Sequence, residues 1–458
     1  MSKRLMKTNT SKSVILGGAF LLAALFTGPA PASAKPNFLI LLGDDLGYGE
    51  LGCQGNPEIP TPNIDSLAKN GIRFTAGYVS GPYCSPTRAG LMTGRYQTRF
   101  GHEFNPPPNS EQGLALSETT IADRLKALGY ATCAVGKWHL GATAAQRPMK
   151  RGFDEFYGTL ANTPYFHPTK FVDSRVSAEV QPVTSDEFYT TDAYAARAVD
   201  WLERNRNEPW LLYVPFNAQH APLEATKKYL DRFPNIPDEK RRTFAAMLSG
   251  MDDAVGRILA KVRSLGQEDN TLIFYFTDNG GPTAQTTSKN DPLRGFKATT
   301  WEGGVRVPFM VQWKGRIPAG KIYEHPIIQL DILPTCVTAA GGKVDPAWQL
   351  DGVDLMPFLT GDKKGKPHET LYWRFGQQWA IRHGDHKLVV ARLGSGQPEL
   401  YDLFKDISES TDLAASQPDK TKELQGLYDE WNATLSAPGW VPAAQDGTTK
   451  AKKKKKQQ

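Results

Sequence analysis

Cys84 is followed by Ser85, Pro86 and, four residues on, Arg88, and the run closes on Thr93-Gly94-Arg95. Ser85 is a favourable helix N-cap, Pro86 suits the first helical position, and Gly94 suits the stop of a short helix. Cys84 is therefore expected at a helix N-terminus, where free N–H groups and the helix dipole favour negative charge. Arg88 lies one turn further and brings its guanidinium to the same face. The expected chemistry is a sulfur nucleophile or its derivative beside a bound anion.

Further polar residues follow a series of apolar runs. Asp44 and Asp45 come after Phe38 to Leu42, and Lys137 and His139 after Ala131 to Val135. His220 comes after Leu211 to Phe216, and Asp278 and Asn279 after Leu272 to Phe276, with Lys297 in the loop beyond. Asp44, Asp45, Asp278 and Asn279 form an all-oxygen set with three carboxylates, which suits Ca²⁺ or Mg²⁺ better than zinc. An adjacent aspartate pair is common in surface turns. Two acidic pairs at equivalent strand ends carry more weight.

The elements that must position these groups follow from the pattern. Apolar runs of strand length, including Pro308 to Trp313, alternate with helix-like periodicity at Pro62 to Lys69, Glu118 to Leu128, Asp192 to Arg204 and Phe244 to Leu265. Such alternation predicts an α/β domain whose large, mostly parallel sheet is covered by helices on both faces. In open sheets of this kind ligands bind beyond the carboxyl ends of the strands, which is where the candidate residues fall. From about His368 the rhythm changes to short, closely spaced strands at Leu371 to Phe375, Trp379 to Arg382, His386 to Val390 and Glu399 to Asp402, with a helix near Thr421 to Thr434. That predicts a smaller C-terminal α+β domain with an antiparallel sheet.

Lys3, Arg4, Lys7 and Lys12, an apolar stretch from Val14 to Phe26 and Ala32-Ser33-Ala34 read as a signal peptide over 1–34, so the chain is expected to be exported, periplasmic or secreted, without a transmembrane anchor. The expected organisation is a catalytic domain over 35–365, the small domain over 366–445 and a solvated, disordered Lys-rich tail over 446–458. The formal charge of +6 misleads: with the four cations of the leader and the six lysines of the tail set aside, 54 basic residues fall to 44, against 48 acidic. That balance speaks against a nucleic-acid binder. Four cysteines are few for an exported protein, so the fold must rest on an ordinary core.

The twelve residues from Cys84 to Arg95 resemble the signature of formylglycine-dependent type I sulfatases, within the alkaline phosphatase superfamily. Gly129 to Gly141 resembles the second long signature of that family, and the resemblance continues through Leu293 to Lys297, Trp301 to Pro308 and Glu399 to Leu403. It implies that Cys84 is oxidised by a maturation enzyme to formylglycine (3-oxoalanine). It also implies that Asp44, Asp45, Asp278 and Asn279 hold calcium (magnesium as the lesser choice), with an oxygen of the modified Cys84 as a further ligand. One hydroxyl of the hydrated aldehyde would attack sulfur with Asp278 as a nearby base, and Arg88, Lys137 and Lys297 would stabilise the sulfuryl oxygens. His220, with Lys297, would protonate the leaving sugar oxygen, and His139 would take the proton from the second hydroxyl. Substrate contacts would then include Lys137, His220 and Lys297.

His102 and His167 lie in Pro- and Asn-rich loops and are named as further subsite contacts. Tyr165, Phe166 and Trp379 are expected first to pack in the core, with a sugar platform as the alternative, and His325, His368, His383 and His386 are expected at turns or on the surface. The expected activity is hydrolysis of sulfate esters on a sulfated glycan. The rival readings are a phosphodiesterase or phosphonate hydrolase of the same superfamily, and an inactive glycan-binding homologue.

Overall fold

The apolar runs do form buried strands, several of them one or two residues longer than the pattern alone suggests. A computed structural model describes residues 35–442 apart from Asn109, together with Met6 and Asn9. The proposed leader and the Lys-rich tail thus lie outside the described residues, those two positions excepted. In chain order the strands are β1 (Asn37–Gly43), β2 (Ile72–Phe74), β3 (Gly77–Tyr78), β4 (Ala131–Lys137), β5 (Glu155–Thr159), β6 (Phe171–Asp173), β7 (Ser177–Gln181) and β8 (Trp210–Pro215). They continue with β9 (Thr271–Thr277), β10 (Phe309–Gln312), β11 (Lys321–Tyr323), β12 (Ile327–Ile328), β13 (Thr370–Phe375), β14 (Gln378–His383), β15 (His386–Val390) and β16 (Glu399–Asp402).

Ten strands make one sheet in the order β11-β2-β10-β9-β1-β8-β4-β5-β6-β7. Its centre, β9-β1-β8-β4-β5, is parallel. The run read from Pro308 to Trp313 becomes β10, which is antiparallel to both β9 and β2, and β6 and β7 close the other edge as antiparallel strands. Along β1, Phe38, Ile40 and Leu42 enter one hydrophobic cluster while Leu39 and Leu41 enter the other. Side chains alternate across a strand, so a sheet covered on both faces needs an unbroken apolar run, and β1, β8 and β9 have one. Helices Pro62–Asn70, Thr190–Arg204 and Glu239–Ser264 cover one face; Cys84–Thr93, Ile121–Ala127 and Ile332–Ala339 cover the other. The helix expected from Glu118 begins instead at Ile121. Thr120 accepts from Asp123 N and Asp123 returns the bond, a reciprocal cap that Ser117, with Thr120 three residues on, cannot make.

Strands β13 to β16 form a separate antiparallel sheet carrying helix Pro418–Asn432. It shares a hydrophobic cluster with Tyr78, Tyr96, Trp301 and Val305 of the larger part. At that junction lies a buried ionic cluster: Lys387 Nζ contacts Glu302 Oε1 at 2.8 Å and Glu409 Oε1 at 3.0 Å. Glu302 also accepts from Tyr78 Oη at 2.6 Å and Arg306 Nη1 at 3.1 Å, and Arg382 Nη1 donates to Tyr78 Oη. His383 and His386 pair across the β14–β15 hairpin, as their spacing suggested. His368 is a correction, since it is largely buried and bonds Asp331 Oδ1 at 2.7 Å.

After the last helix the chain crosses back as a strap. Ser436 N donates to Thr98 O, Gly439 N to Gly101 O, and Trp440 Nε1 to Asn105 O at 2.9 Å. All four cysteines are free, and no helix among the described residues is long and apolar enough to cross a membrane.

Candidate active site

The parallel register decides what meets. Gly43 on β1 lies beside Thr277 on β9, and Leu42 beside Pro215 on β8, so the residues just beyond converge from neighbouring strands. Asp44, Asp45, Asp278 and Asn279 come together there, all fully buried. Lys137 is the last residue of β4, which runs two residues past the expected end at Val135. It can stand there because Gly136 has φ 140° and a Cβ at that position would sit 1.9 Å from Pro215 O.

The helix carrying Cys84 runs Cys84–Thr93, with every residue buried. Its N-cap is Tyr83, in extended backbone, with no side-chain cap, so Ser85 is already the second helical residue and not the cap. The missing cap is supplied from outside: Asn105 Oδ1 accepts from Ser85 N at 2.9 Å. Ser85 Oγ donates to His139 O at 2.6 Å and lies 2.6 Å from His102 Nε2. His102, expected as a subsite contact, is fully buried against Ser85; burial pushes its pKa down to about 3, and the neutral ring props Ser85 against the His139 backbone. Gly94, φ 67°, ends the helix as its sequence predicts.

Cys84 Sγ lies 3.6 Å from Asp44 Oδ1 and 3.3 Å from Lys297 Nζ. One ligand atom each from Asp44, Asp45, Cys84 and Asp278 fall within 4.8 Å of one another, and so do those of Asp44, Cys84 and His220. Arg88 donates from Nε and Nη2 to Asp278 Oδ2 at 3.0 and 2.8 Å, and lies 3.4 Å from Asp44. Lys137 Nζ bonds Asp44 Oδ2, and Lys297 Nζ contacts Asp45 Oδ1 at 2.6 Å. His220 Nδ1 meets the Ala221 carbonyl while Nε2 lies 3.7 Å from Asp45 Oδ2. Asp45 and His139 both hold positive φ, 61° and 59°, strain that the surrounding structure must sustain.

Electrostatics sort the groups. Burial would raise Asp44, but Lys137, His220, Arg88 and Lys297 together hold it well below the carboxylate range. Burial, and then the neighbouring Asp44, push Asp278 up to about 6. Burial raises the Cys84 thiol, so at neutral pH it stays protonated and is a poor nucleophile as encoded. Burial, with Lys137 and Arg88 adding to it, keeps His139 neutral, and its Nδ1 has no hydrogen-bond partner. Burial also lowers His220, whereas Lys297, despite burial, is held protonated by Asp45.

The residues fit a hard divalent cation. Asn279 Nδ2 is spent on Asp45 Oδ1 and Gly280 O, while its Oδ1 is buried without a hydrogen-bond partner. A carbonyl oxygen left over beside three crowded carboxylates is what an oxygen-seeking cation takes up.

A cavity of about 770 Å³ reaches the site at His139 and at Tyr83, the neighbour of Cys84, and is lined further by Asn105 to Pro108, Asn162, Lys170 and, from the strap, Val441 and Pro442. No carboxylate stands among its described lining residues. His167 is not among them; its half-exposed ring pairs with Asp186 at 3.4 Å. The three aromatics take the packing role expected first of each. Tyr165 is buried and donates to Asn217 O and His220 O, Phe166 packs on Tyr189, and Trp379 stacks on Tyr428. Sequence reasoning missed Asn105, Ser85 and Tyr165 as supports, because each acts across a gap in sequence that no local pattern records.

The sulfatase family profile matches residues 36–342, and that of the N-sulphoglucosamine sulphohydrolase C-terminal region matches 296–432. The chain is similar to human arylsulfatase A, 33% identical over 460 residues that cover 89% of each protein. It is also similar to N-acetylgalactosamine-6-sulfatase of Canis lupus familiaris, 32% identical over 393 residues, 80% of this chain and 74% of the relative. Among solved structures, Ps i-CgsB in complex with k-i-k-neocarrahexaose superposes with a TM-score of 0.82 at 33% identity, over 91% of this chain and 96% of that one.

Proposed function

The chain belongs to the sulfatase family, hydrolases of sulfate esters, and from that premise we propose that it desulfates a sulfated glycan through a formylglycine derived from Cys84 and a bound calcium ion. The observation that carries this reading is the setting of Cys84: a buried thiol with no histidine base bonded to it, wedged between Asp44 and Lys297, beside the orphaned Asn279 Oδ1.

Asp44, Asp45, Asp278 and Asn279 Oδ1 would hold the cation, with the modified residue 84. When bound, the hydrated aldehyde supplies an oxygen nucleophile and the cation supplies positive charge to the sulfate oxygens. Arg88, Lys137 and Lys297 balance the three aspartates in charge, so a divalent cation leaves the pocket positive and apt for a sulfate group. Arg88, locked on Asp278 and the Lys137 carbonyl, fixes the orientation of both. Lys297, held protonated by Asp45, is the standing proton source for the leaving oxygen, and His220 Nε2 faces the same cluster. Neutral His139 accepts the proton that must leave on the side of residue 84. The cavity, with Lys170 and no described carboxylate on its wall, suits an anionic sugar chain, and the oligosaccharide held by the related i-CgsB structure supports that class. Residues 1–34 would direct export.

The test is peptide mass spectrometry at Cys84 on protein from its native host, paired with hydrolysis of an aryl sulfate and an aryl phosphate diester. Formylglycine at 84 with dominant sulfatase activity is expected. Thiol alone in active protein, or dominant diester hydrolysis, would overturn the reading.

A further inference from the structure

Ser85, the neighbour of Cys84, is held from two sides, and both holds lead back to one residue of the strap. Its N–H donates to Asn105 Oδ1 at 2.9 Å, the cap that Tyr83 does not supply. Its Oγ donates to His139 O and lies 2.6 Å from His102 Nε2. Trp440 reaches both partners. Its Nε1 donates to Asn105 O at 2.9 Å, and its ring stands edge-on to the His102 ring with centroids 4.8 Å apart.

The strap that carries Trp440 is built into place. Gly101 has φ 74°, and a Cβ there would stand 2.8 Å from Ala437 O and 3.0 Å from Gly439 N, so the crossing needs a glycine. Gly439 N donates to Gly101 O, Ser436 N to Thr98 O and Ser436 Oγ to Arg99 O. Arg374 of β13 donates from Nε to buried Glu103 at 2.9 Å and from Nη2 to Ser436 O at 2.6 Å. The small sheet thus fastens the strap and the segment 101–105 to each other.

We propose that Trp440 is a positioning residue for residue 84, acting through Asn105 and His102 on Ser85. This rests on the reading of Cys84 as the source of the nucleophile. A helix cap contributes modestly to stability, whereas a displacement of about 1 Å at a reacting group costs about 10²-fold in rate. Loosening Ser85 would also release the His139 backbone, and with it the ring that takes the proton.

The test compares the full-length parent with Trp440→Phe, which keeps a ring and removes the donor, and with Trp440→Ala, which removes both holds. Asn105→Ala and the double variant Asn105→Ala/Trp440→Phe complete a cycle, and Ser436→Ala loosens the strap away from Ser85. Hydrogen exchange on peptides covering 84–95 needs no turnover, and kcat and KM are read on a small aryl sulfate per mole of formylglycine. Trp440→Phe should speed exchange at 84–95 and lower kcat about tenfold with KM unchanged; Trp440→Ala should lower kcat about a hundredfold. The double variant should be no slower than Asn105→Ala alone, because the donor acts through the cap. Ser436→Ala should leave exchange at 84–95 and kcat as in the parent. Should Trp440→Ala fail to fold, Trp440→Phe and the cycle decide. Unchanged exchange and kcat in Trp440→Phe would overturn the proposal, as would losses that add in the double variant. A raised KM at constant kcat would also overturn it, making Trp440 a wall of the cavity only. So would faster exchange throughout the chain with a lower thermal midpoint, which would leave Trp440 a merely structural residue. Absence of aryl sulfate hydrolysis in the parent would defeat the sulfatase reading, while exchange at 84–95 still decides whether Trp440 holds Ser85.

Discussion

Two of the buried ionic clusters among the described residues are built to different ends. The strand-end cluster joins Asp44, Asp45 and Asp278 to Arg88, Lys137 and Lys297; the junction cluster joins Glu302 and Glu409 to Lys387, Arg306 and Arg382. Both sit in places from which water is excluded. The first leaves Asn279 Oδ1 and His139 Nδ1 unpartnered and has a cavity beside it at His139; positive φ does not separate the two, since Asp45 and His139 hold it in the first and Glu409, φ 50°, in the second. The second is tied to Tyr78 and to the Glu302 backbone, whose N–H donates to Glu409 at 2.7 Å, and it pins the small sheet to the large one. Buried charge alone is thus no mark of a functional site. Unspent bonding capacity beside an open space is.

The comparison can be broken most sharply at Cys84. Cys84→Ala should reduce aryl sulfate turnover by roughly 10⁴-fold or more, as loss of a nucleophile does, with the thermal midpoint little changed. Opposite behaviour is expected at the junction. Lys387→Met leaves Glu409 without its cation and Glu302 with Arg306 alone, and should cost about 3–5 kcal/mol in urea unfolding, with turnover per folded molecule retained. Lys137→Ala in the strand-end cluster should lower kcat by about 10²–10³ while shifting the unfolding midpoint less than Lys387→Met does. If both lysines moved stability and neither moved rate, the distinction between the clusters would fail.

A third contrast uses the cation. Calcium at about a hundredfold excess over its dissociation constant should add about 2.7 kcal/mol to stability, measured by calorimetry, and chelation should remove it together with activity. Asn279→Ala should blunt that calcium response, whereas Glu302→Gln should leave it intact. The smallest effect concerns His368, a structural ion pair like those of the junction. Burial opposes its charge, but Asp331 raises its pKa above the ordinary value. The pair therefore contributes fully below about pH 6.5, and its stabilisation is lost as pH rises through the raised folded value. Parent protein should lose of order 1 kcal/mol across that window, and His368→Gln should lose none of it.

Much of the strand-end site could be read from sequence because its residues follow apolar runs directly, as Asp44 follows β1 and Asp278 follows β9. The fold class followed from the same runs. Strands β5, β6 and β7, toward one edge, did not; Ser177–Gln181 at that edge, for one, is short and half-exposed and lacks the apolar continuity of β1. The junction cluster has no local signal either: Glu302 and Lys387 are 85 positions apart, and neither lies in a pattern that points to the other. Ser85 has the residue type of a cap, yet the true cap comes from Asn105, twenty residues on. His102 departs from expectation for a related reason: a loop rich in proline and asparagine predicts a surface, and the strap covers it.

Helix Cys84–Thr93 is buried at every residue, and Cys84 at its start has no exposed surface. The consequence is one of timing. If a separate enzyme oxidises Cys84 as proposed, it would have to grip the segment as an accessible chain, and the modification would then precede folding and compete with it. A host that folds the protein faster than it modifies it would accumulate well-folded molecules locked in the thiol form. Preparations with identical spectra and midpoints could then differ in specific activity solely through the order of two events during synthesis.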